Sequence, residues 1–278
     1  MDNHVKNQHF VPRFLLSNFS SKTDKFIWAY DNYPVYNPKD KIKERAIRKV
    51  ANEDYFYDEI KGYKEGSFEY ILQKIEDITA PIILKIIETR KIESLSKFDR
   101  EIVSLFVTLQ ILRTKNELEQ TEHFMDVLSK QLKEKANIIT EKVDSRKIWF
   151  YILKDSFDFH KVIENKVWHL TESNNSFYIS DNPVTLQNTT DKSEIRGTLG
   201  IDSYGIEIHL PISPSLTICF FCEKLFQEKG YDKNYIPKTI CQPENIENLN
   251  WLQIIHSQRF IFSHKNNFEF VDKIKNAQ

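Results

Sequence analysis

The period of the hydrophobic pattern changes along the chain, and this change most constrains the fold. From residue 67 to 165 apolar residues recur at helical spacing, as in Ile71, Leu72, Ile75 and Ile78. Beyond this region, short β-branched and aromatic runs stand between turn residues, which is typical of strands. The sequence therefore predicts an α+β fold with a central helical region and a C-terminal mixed or antiparallel sheet.

Two short aromatic runs near the N-terminus, residues 26–30 and 54–57, predict the strands of a small sheet. Gly is scarce at six residues, and no low-complexity linker interrupts the chain. We therefore expect one domain made of a mixed segment (1–66), the helical region (67–165) and the strand-rich region (166–278).

Local signals define some elements more closely. Ser96 suits a helix N-cap, and Asp99 follows in the first turn, where a carboxylate complements the helix dipole. Pro81 should interrupt or kink the helix around it. We also expect a helix at 244–257 and strands at 176–180, 206–210, 216–222 and 259–263.

The charges of the chain nearly cancel, with 39 basic and 40 acidic side chains. The chain therefore lacks the excess positive charge that drives non-specific binding to phosphate backbones. The chain can still form a local basic groove, because residues 39–49 are rich in Lys and Arg. This segment forms either a solvated surface or a phosphate-facing patch.

The apolar runs fall far short of a spanning helix, and the polar start does not resemble a signal peptide. Three cysteines are too few for a disulfide framework, which favours a reducing compartment. We expect a soluble, cytoplasmic protein that does not enter membranes. These features make no prediction about its oligomeric state.

The segment 8–19 is the most distinctive in the chain. Pro12 suits the first position of a helix, so His9 and Arg13 flank a helix start. Exposed amides at such a start favour anions, and Arg13 could add a bidentate fork for phosphate or carboxylate. The same residues also suit a polar helix entry that fastens the terminus to the body of the protein.

Gln110 and Arg113 lie three residues apart on one side of an apolar helix. A buried Arg needs a partner, and Glu76 on the preceding helix is a candidate, because burying either charge unpaired would be costly. Two interpretations are open. The residues form a structural ion pair between helices, or they form a positively charged pocket wall that binds an oxyanion.

Asp181 and Asn182 follow an apolar strand, a position at which scaffolds present catalytic carboxylates. They also precede a proline, and the same residues make an excellent turn. Glu207 and His209 share one face of a predicted strand, which we expect to be solvated. Asp181 with Glu207 and His209 faintly resembles the Asp then Glu-x-Lys layout of metal-dependent nucleases, with His where Lys belongs.

Other known motifs of catalysis are missing or fail on spacing. Cys219 and Cys222 have the spacing of a zinc or redox pair, but on a strand an odd separation points the two sulfurs to opposite faces. The sequence contains no phosphate-binding glycine loop, nucleophile elbow or zinc-protease helix. We therefore expect no metal site and no cofactor.

Several of these segments together resemble the domain-of-unknown-function family DUF4238, whose members begin with a His-aromatic-Val-Pro-(Arg or Gln) motif and an apolar stretch that ends in Phe. The resemblance spans most of the chain and includes residues 8–19, 53–57, the region of Glu76, 110–114, 180–183 and 210–214. It implies membership of that family. It implies no reaction, because the family has no established activity.

These residues favour a metal-independent phosphoesterase or ribonuclease-like hydrolase that acts on phosphate esters, including RNA. His9 would be the general acid or base, Arg13 and Arg113 would hold the anion, and Asp181 would be an orienter or base. The binding residues would be Gln8, Glu76, Gln110 and Asn182. The alternative is a non-catalytic module that binds an anionic ligand or a partner, and a role in bacterial phage defence is consistent with either. Both hypotheses require these distant segments to share one pocket.

Overall fold

The structure, a computed structural model, describes residues 4–21, 25–59, 62, 67–136, 144–174, 177–190, 199–230 and 243–277. The helices are α1 (Arg13–Ser17), α2 (Glu69–Thr89), α3 (Lys97–Leu112), α4 (Lys115–Ala136), α5 (Ser145–Asp155), α6 (His160–Glu164), α7 (Glu223–Glu228), α8 (Pro243–His256) and α9 (Glu269–Asn276). The strands are β1 (Asn7–His9), β2 (Phe26–Asp31), β3 (Ile42–Ala46), β4 (Asn52–Asp54), β5 (Val167–Glu172), β6 (Ile179–Ser180), β7 (Thr185–Asn188), β8 (Ile206–Ser213), β9 (Leu216–Phe221) and β10 (Phe260–Ser263). This order confirms the α+β class, with a helical middle region and strands on both sides of it.

The helices of the middle region follow the local signals closely. Ser96 caps α3: its hydroxyl accepts a hydrogen bond from the amide of Asp99 at 3.0 Å, and its own amide donates to the Asp99 carboxylate at 3.1 Å. The interruption considered at Pro81 is absent, because α2 continues through this residue. Pro81 and Asp77, whose carbonyl loses its helical partner, are both exposed, so water can satisfy that carbonyl.

The strands of the described residues form three antiparallel sheets. One pairs β1 with β4, the second has the order β3-β2-β10-β6, and the third has the order β5-β9-β8-β7. The prediction that residues 26–30 and 54–57 share one sheet is therefore wrong. Residues 55–57 form a turn in which Tyr55 has a φ of 56°, and both edges of β2 are occupied by β3 and β10.

The second sheet joins the two ends of the chain, because β10 lies between β2 and β6. Strand β2 of this sheet ends at Asp31. The Asp31 carboxylate is buried and accepts hydrogen bonds from Nε and Nη2 of Arg259 at 3.2–3.3 Å. One hydrophobic cluster includes residues from the N-terminal segment, α2, α3 and the third sheet. The N-terminal segment is thus packed against the helical region.

The C-terminal elements agree with the expected strands and helix in most positions. Of the strand expected at 176–180, residue 176 lies outside the described residues and the strand covers Ile179–Ser180. The solvated face expected around Glu207 and His209 is wrong, because His209 is only 3% exposed. Side chains of α7 and α8 stand over this face of the sheet and shield it. Within the described residues, no helix is long and apolar enough to cross a membrane.

Candidate functional site

A cleft of about 600 Å³ opens between the N-terminal segment and the first half of α2. Its ionisable lining residues are His9, Arg13, Arg48, Lys49, Glu69, Glu76 and Asp77. Three of the residues singled out from the sequence, His9, Arg13 and Glu76, therefore lie in one cleft. The charges of both signs in this cleft make it the first candidate for a functional site.

The fold brings His9 to the cleft through a short strand pairing. In the β1–β4 pair, His9 stands opposite Asn52, and α1 begins four residues later at Arg13. Pro12 occupies the N-cap position rather than the first helical position, and α1 has only five residues. Such a short helix is a poor anion site by itself, so side chains must supply any anion binding here.

His9 carries a neutral imidazole at neutral pH. Burial, with the nearby Arg13 and Arg113 guanidinium groups, lowers the pKa of His9 to about 4, against a hydrogen bond to the Ile47 carbonyl that raises it. Nε2 of His9 lies 3.5 Å from Nδ2 of Asn52, which also donates to the Val50 carbonyl at 2.9 Å. The contact with Nε2 is therefore the weaker of the two.

Arg113 lies directly behind the cleft and is only 2% exposed. The ion pair expected with Glu76 is present, with Nη2 of Arg113 2.6 Å from Oε1 of Glu76. The same Nη2 donates to the His9 carbonyl at 2.7 Å, and Nε donates to the Tyr57 hydroxyl at 3.1 Å. Burial alone would lower the pKa of Arg113. The nearby Tyr57 and Glu76 outweigh this effect and raise the pKa, so the guanidinium group stays charged.

Glu69 is the most perturbed carboxylate of the cleft, and the sequence did not single it out. Burial raises its pKa to about 7, with a further contribution from Glu76, although Arg113 opposes this shift. Its Oε2 is buried and has no hydrogen-bond partner among the described residues. In the sequence Glu69 looks like an ordinary acidic residue in the first turn of a helix, so no local signal could have identified it.

Three cations at the cleft carry no ion pair within the described part of the chain. Arg13, Arg48 and Lys49 are all exposed, and none of their side chains forms a hydrogen bond or salt bridge with a described residue. The Arg48 and Lys49 side chains come from the basic segment 39–49, for which a phosphate-facing patch was one of two interpretations. Both side chains are exposed and line the cleft, which is compatible with the solvated surface as well as with the phosphate-facing patch.

Gln8 and Gln110 are buried and fasten the cleft wall rather than lining it. Gln110 donates to the Phe10 carbonyl at 2.8 Å, so α3 holds the backbone just after His9. Gln8 donates to Asp58 at 3.0 Å and accepts a hydrogen bond from the Tyr57 amide. Together with Arg113, these amides fix the N-terminal segment against the helical region.

Asp181 and Asn182 lie elsewhere, in the turn after β6, and neither is among the described residues that line the cleft. Asp181 is buried and accepts hydrogen bonds from the amides of Gln258, Arg259 and Phe260 at 2.7–2.9 Å. Burial raises the pKa of Asp181 to about 6, and these amides oppose the shift. Its geometry is that of a structural tie, because its oxygens already hold three backbone donors.

The comparisons with known proteins identify one family. A family profile described as "Protein of unknown function (DUF4238)" matches residues 7–267, which is nearly the whole chain. No curated protein and no solved structure matches the chain. The matched range includes every residue of the cleft except Val5.

Proposed function

Because the chain belongs to DUF4238, a family whose description assigns no activity, we propose its function from the cleft itself: a metal-independent phosphoesterase. The observation that supports this proposal is the combination of an acid that titrates near neutral pH, a neutral imidazole and three cations without described partners. All of them line the same cleft. Such a set can bind a phosphate group and move protons to and from it.

Arg13, Arg48 and Lys49 would bind the phosphate group. Arg presents a planar fork that matches two phosphate oxygens, whereas Lys adds a mobile point charge. Their exposure means that a ligand can reach them without moving the body of the protein. Arg113 is buried and does not line the cleft, so it would act through Glu76 and the His9 backbone as a positioning residue.

Glu69 and His9 would carry the proton transfers. A carboxylic acid with a pKa of about 7 is partly protonated at neutral pH and can donate its proton to the leaving oxygen. The neutral His9 imidazole can accept the proton of the attacking water or hydroxyl through Nε2, from which the weak Asn52 contact can move aside. The bond from the attacking oxygen to phosphorus forms as the bond to the leaving oxygen breaks. His9 gains the proton of the nucleophile, Glu69 loses its proton to the leaving oxygen, and proton exchange with solvent then restores both groups. His9 thus serves as base, and Glu69 takes the acid role.

The test measures turnover of RNA oligonucleotides and of a synthetic phosphodiester, with and without a chelator. We expect activity that the chelator does not remove, and a loss of at least about 100-fold in kcat for Glu69→Gln, which keeps the shape of the side chain. Lys49→Met should raise KM. The matched control Lys91→Met removes an exposed lysine beyond the far end of α2 and should leave both constants unchanged.

Absence of turnover on every phosphodiester would reject the catalytic proposal. The second candidate, anion binding without turnover, is favoured by one observation: the His9 ring interacts with both Ile47 and Asn52, which leaves it less free to accept protons. In that case ligand binding measured by calorimetry would still weaken in Lys49→Met, but no product would form. Binding that is insensitive to Lys49 would reject both candidates.

A further inference from the structure

A second cavity, of about 260 Å³, lies on the third sheet beneath α8. One cross-strand row in this sheet brings together three residues with reactive side chains: Cys219 on β9 stands opposite His209 on β8 and opposite His169 on β5. Glu207 lies two residues before His209 and therefore on the same face of β8. All four residues line the cavity, and none of them lines the cleft described above.

The acidic member of this group is held in place by side chains around it. Glu207 accepts hydrogen bonds from Nε2 of Gln187 at 2.7 Å and from Oγ1 of Thr189 at 2.8 Å. Its Oε2 lies 3.6 Å from Nε2 of His209. Gln187 is held in turn by Asn248 of α8, whose Nδ2 lies 3.1 Å from Oε1 of Gln187. The carboxylate is thus oriented toward the imidazole by a second layer of polar side chains.

The environment favours a charged imidazole at His209. Burial alone would lower the pKa of His209, but Cys219 and Glu207 beside it outweigh this and raise it to about 9. His169 lies on the other side of Cys219, and burial lowers its pKa. Cys219 itself is 2% exposed and its Sγ is 3.4 Å from Oγ1 of Thr171. A cationic imidazole stabilises a thiolate next to it, and the thiolate is the nucleophilic form of cysteine.

The ring of His209 has unused hydrogen-bonding capacity. It is 3% exposed, and neither ring nitrogen makes a hydrogen bond of good geometry within the described part of the chain. The distance of 3.6 Å to Glu207 is too long for such a bond. Buried polar atoms are rarely left without a partner, and because His209 lines the cavity, a polar guest can supply one for its ring.

We propose that Cys219, His209 and Glu207 form a nucleophilic thiol site for small acyl compounds, separate from the phosphoesterase cleft. The Cys219 thiolate attacks the carbonyl carbon of an ester or thioester and forms a new carbon–sulfur bond. The bond to the leaving group breaks, and the leaving group takes its proton from the His209 imidazolium. Water then attacks the thioester, neutral His209 accepts its proton, and the acid leaves as the thiolate–imidazolium pair is restored. Glu207 orients His209 and stabilises its charge.

The size and lining of the cavity define the substrate class. A volume of about 260 Å³ holds only a small group, below the usual range for drug-sized ligands. Phe221, Phe226 and Leu249 provide an apolar wall for a short acyl chain, and Asn245 and Asn248 provide amides for its carbonyl. A short-chain acyl ester or thioester matches this combination.

The first test is the rate of alkylation of the full-length protein by iodoacetamide at neutral pH, mapped to individual cysteines by mass spectrometry. Cys222 is an internal control, because it is also buried but lies outside the cavity, at the N-cap of α7. We expect Cys219 to react at least about tenfold faster than Cys222, and His209→Gln to slow Cys219 at least about tenfold. Thermal unfolding shows whether each variant is folded. Should His209→Gln fail to fold, Glu207→Gln keeps the shape of the side chain and should slow Cys219 at least about threefold.

The second test is acyl transfer from p-nitrophenyl acetate. We expect a transient acetyl group on Cys219, and no burst of nitrophenol in Cys219→Ala. Cys222→Ser should behave as the unaltered protein does. The proposal is overturned if Cys219 of the folded protein reacts no faster than Cys222, if its rate is independent of both His209 and Glu207, or if acetyl-Cys219 never forms. Phosphodiester turnover in Cys219→Ala should be unchanged, which separates this site from the cleft.

Discussion

The side chain of Arg113 ties Tyr57, Glu76 and the His9 backbone together behind the cleft, and Arg113→Met measures what these contacts contribute. Methionine keeps much of the aliphatic volume but removes the hydrogen bonds to Tyr57, to Glu76 and to the His9 carbonyl. Breaking a buried ion pair by removing one partner costs about 3–5 kcal/mol. Glu76 is 22% exposed and can regain some hydration, so we expect the lower end, about 3 kcal/mol, in the free energy of unfolding.

Urea unfolding followed by tryptophan fluorescence measures this loss, because Trp149 stacks on Tyr57 and reports on the same region. The matched control is Arg259→Met. Arg259 also pairs with a buried carboxylate, Asp31, but its own side chain is 47% exposed, so the cost should be about 1 kcal/mol or less. A cost for Arg113→Met that is no larger than the control would refute the argument that Arg113 fixes the cleft wall.

Three further changes test other parts of the structure. Asp181→Asn cannot satisfy all three backbone amides, so we expect a loss of about 2–3 kcal/mol in calorimetric unfolding but unchanged turnover; a lower kcat would instead place Asp181 in catalysis. Gln110→Leu leaves the buried Phe10 carbonyl unpaired, which should cost about 1–2 kcal/mol and speed proteolysis of the N-terminal segment. The pKa of Glu69 is raised from 4.5 to about 7 in the folded state, so between these values the folded protein binds more protons than the unfolded chain. The free energy of unfolding therefore falls as the pH rises through this range. Glu69→Gln should flatten the difference in unfolding free energy between about pH 5 and about pH 8, and an unchanged difference would contradict the assignment.

The sequence predicts those features that depend on residues close in the chain, or on one buried charge that needs a partner of opposite charge. The cap at Ser96 needs only Asp99, three residues away. The Arg113–Glu76 pair could be predicted because an arginine in an apolar helix must find a carboxylate, and the preceding helix offered one. In both cases the physical requirement was visible in the sequence itself.

The rest depends on tertiary register, which the hydrophobic pattern does not encode. Glu69 becomes an unusual acid because the folded chain buries it and places Glu76 nearby. The pairing of Cys219 with His209 follows from the strand register between β8 and β9, and their burial follows from α7 and α8. Asp181 carries the same residue type and loop position as a catalytic carboxylate, but its oxygens are taken by distant backbone amides. Contacts of this kind, between residues distant in the sequence, are defined only by the folded structure.

The central position of β10 in the second sheet has a consequence for synthesis of the protein. Asp31 and Arg259 are 228 residues apart in the chain, yet their contact lies where β2 meets β10. One edge of β2 therefore stays open on the ribosome until β10 has been made, and pairings at such separation form slowly. We expect nascent chains that end before residue 260 to need chaperone protection of that edge.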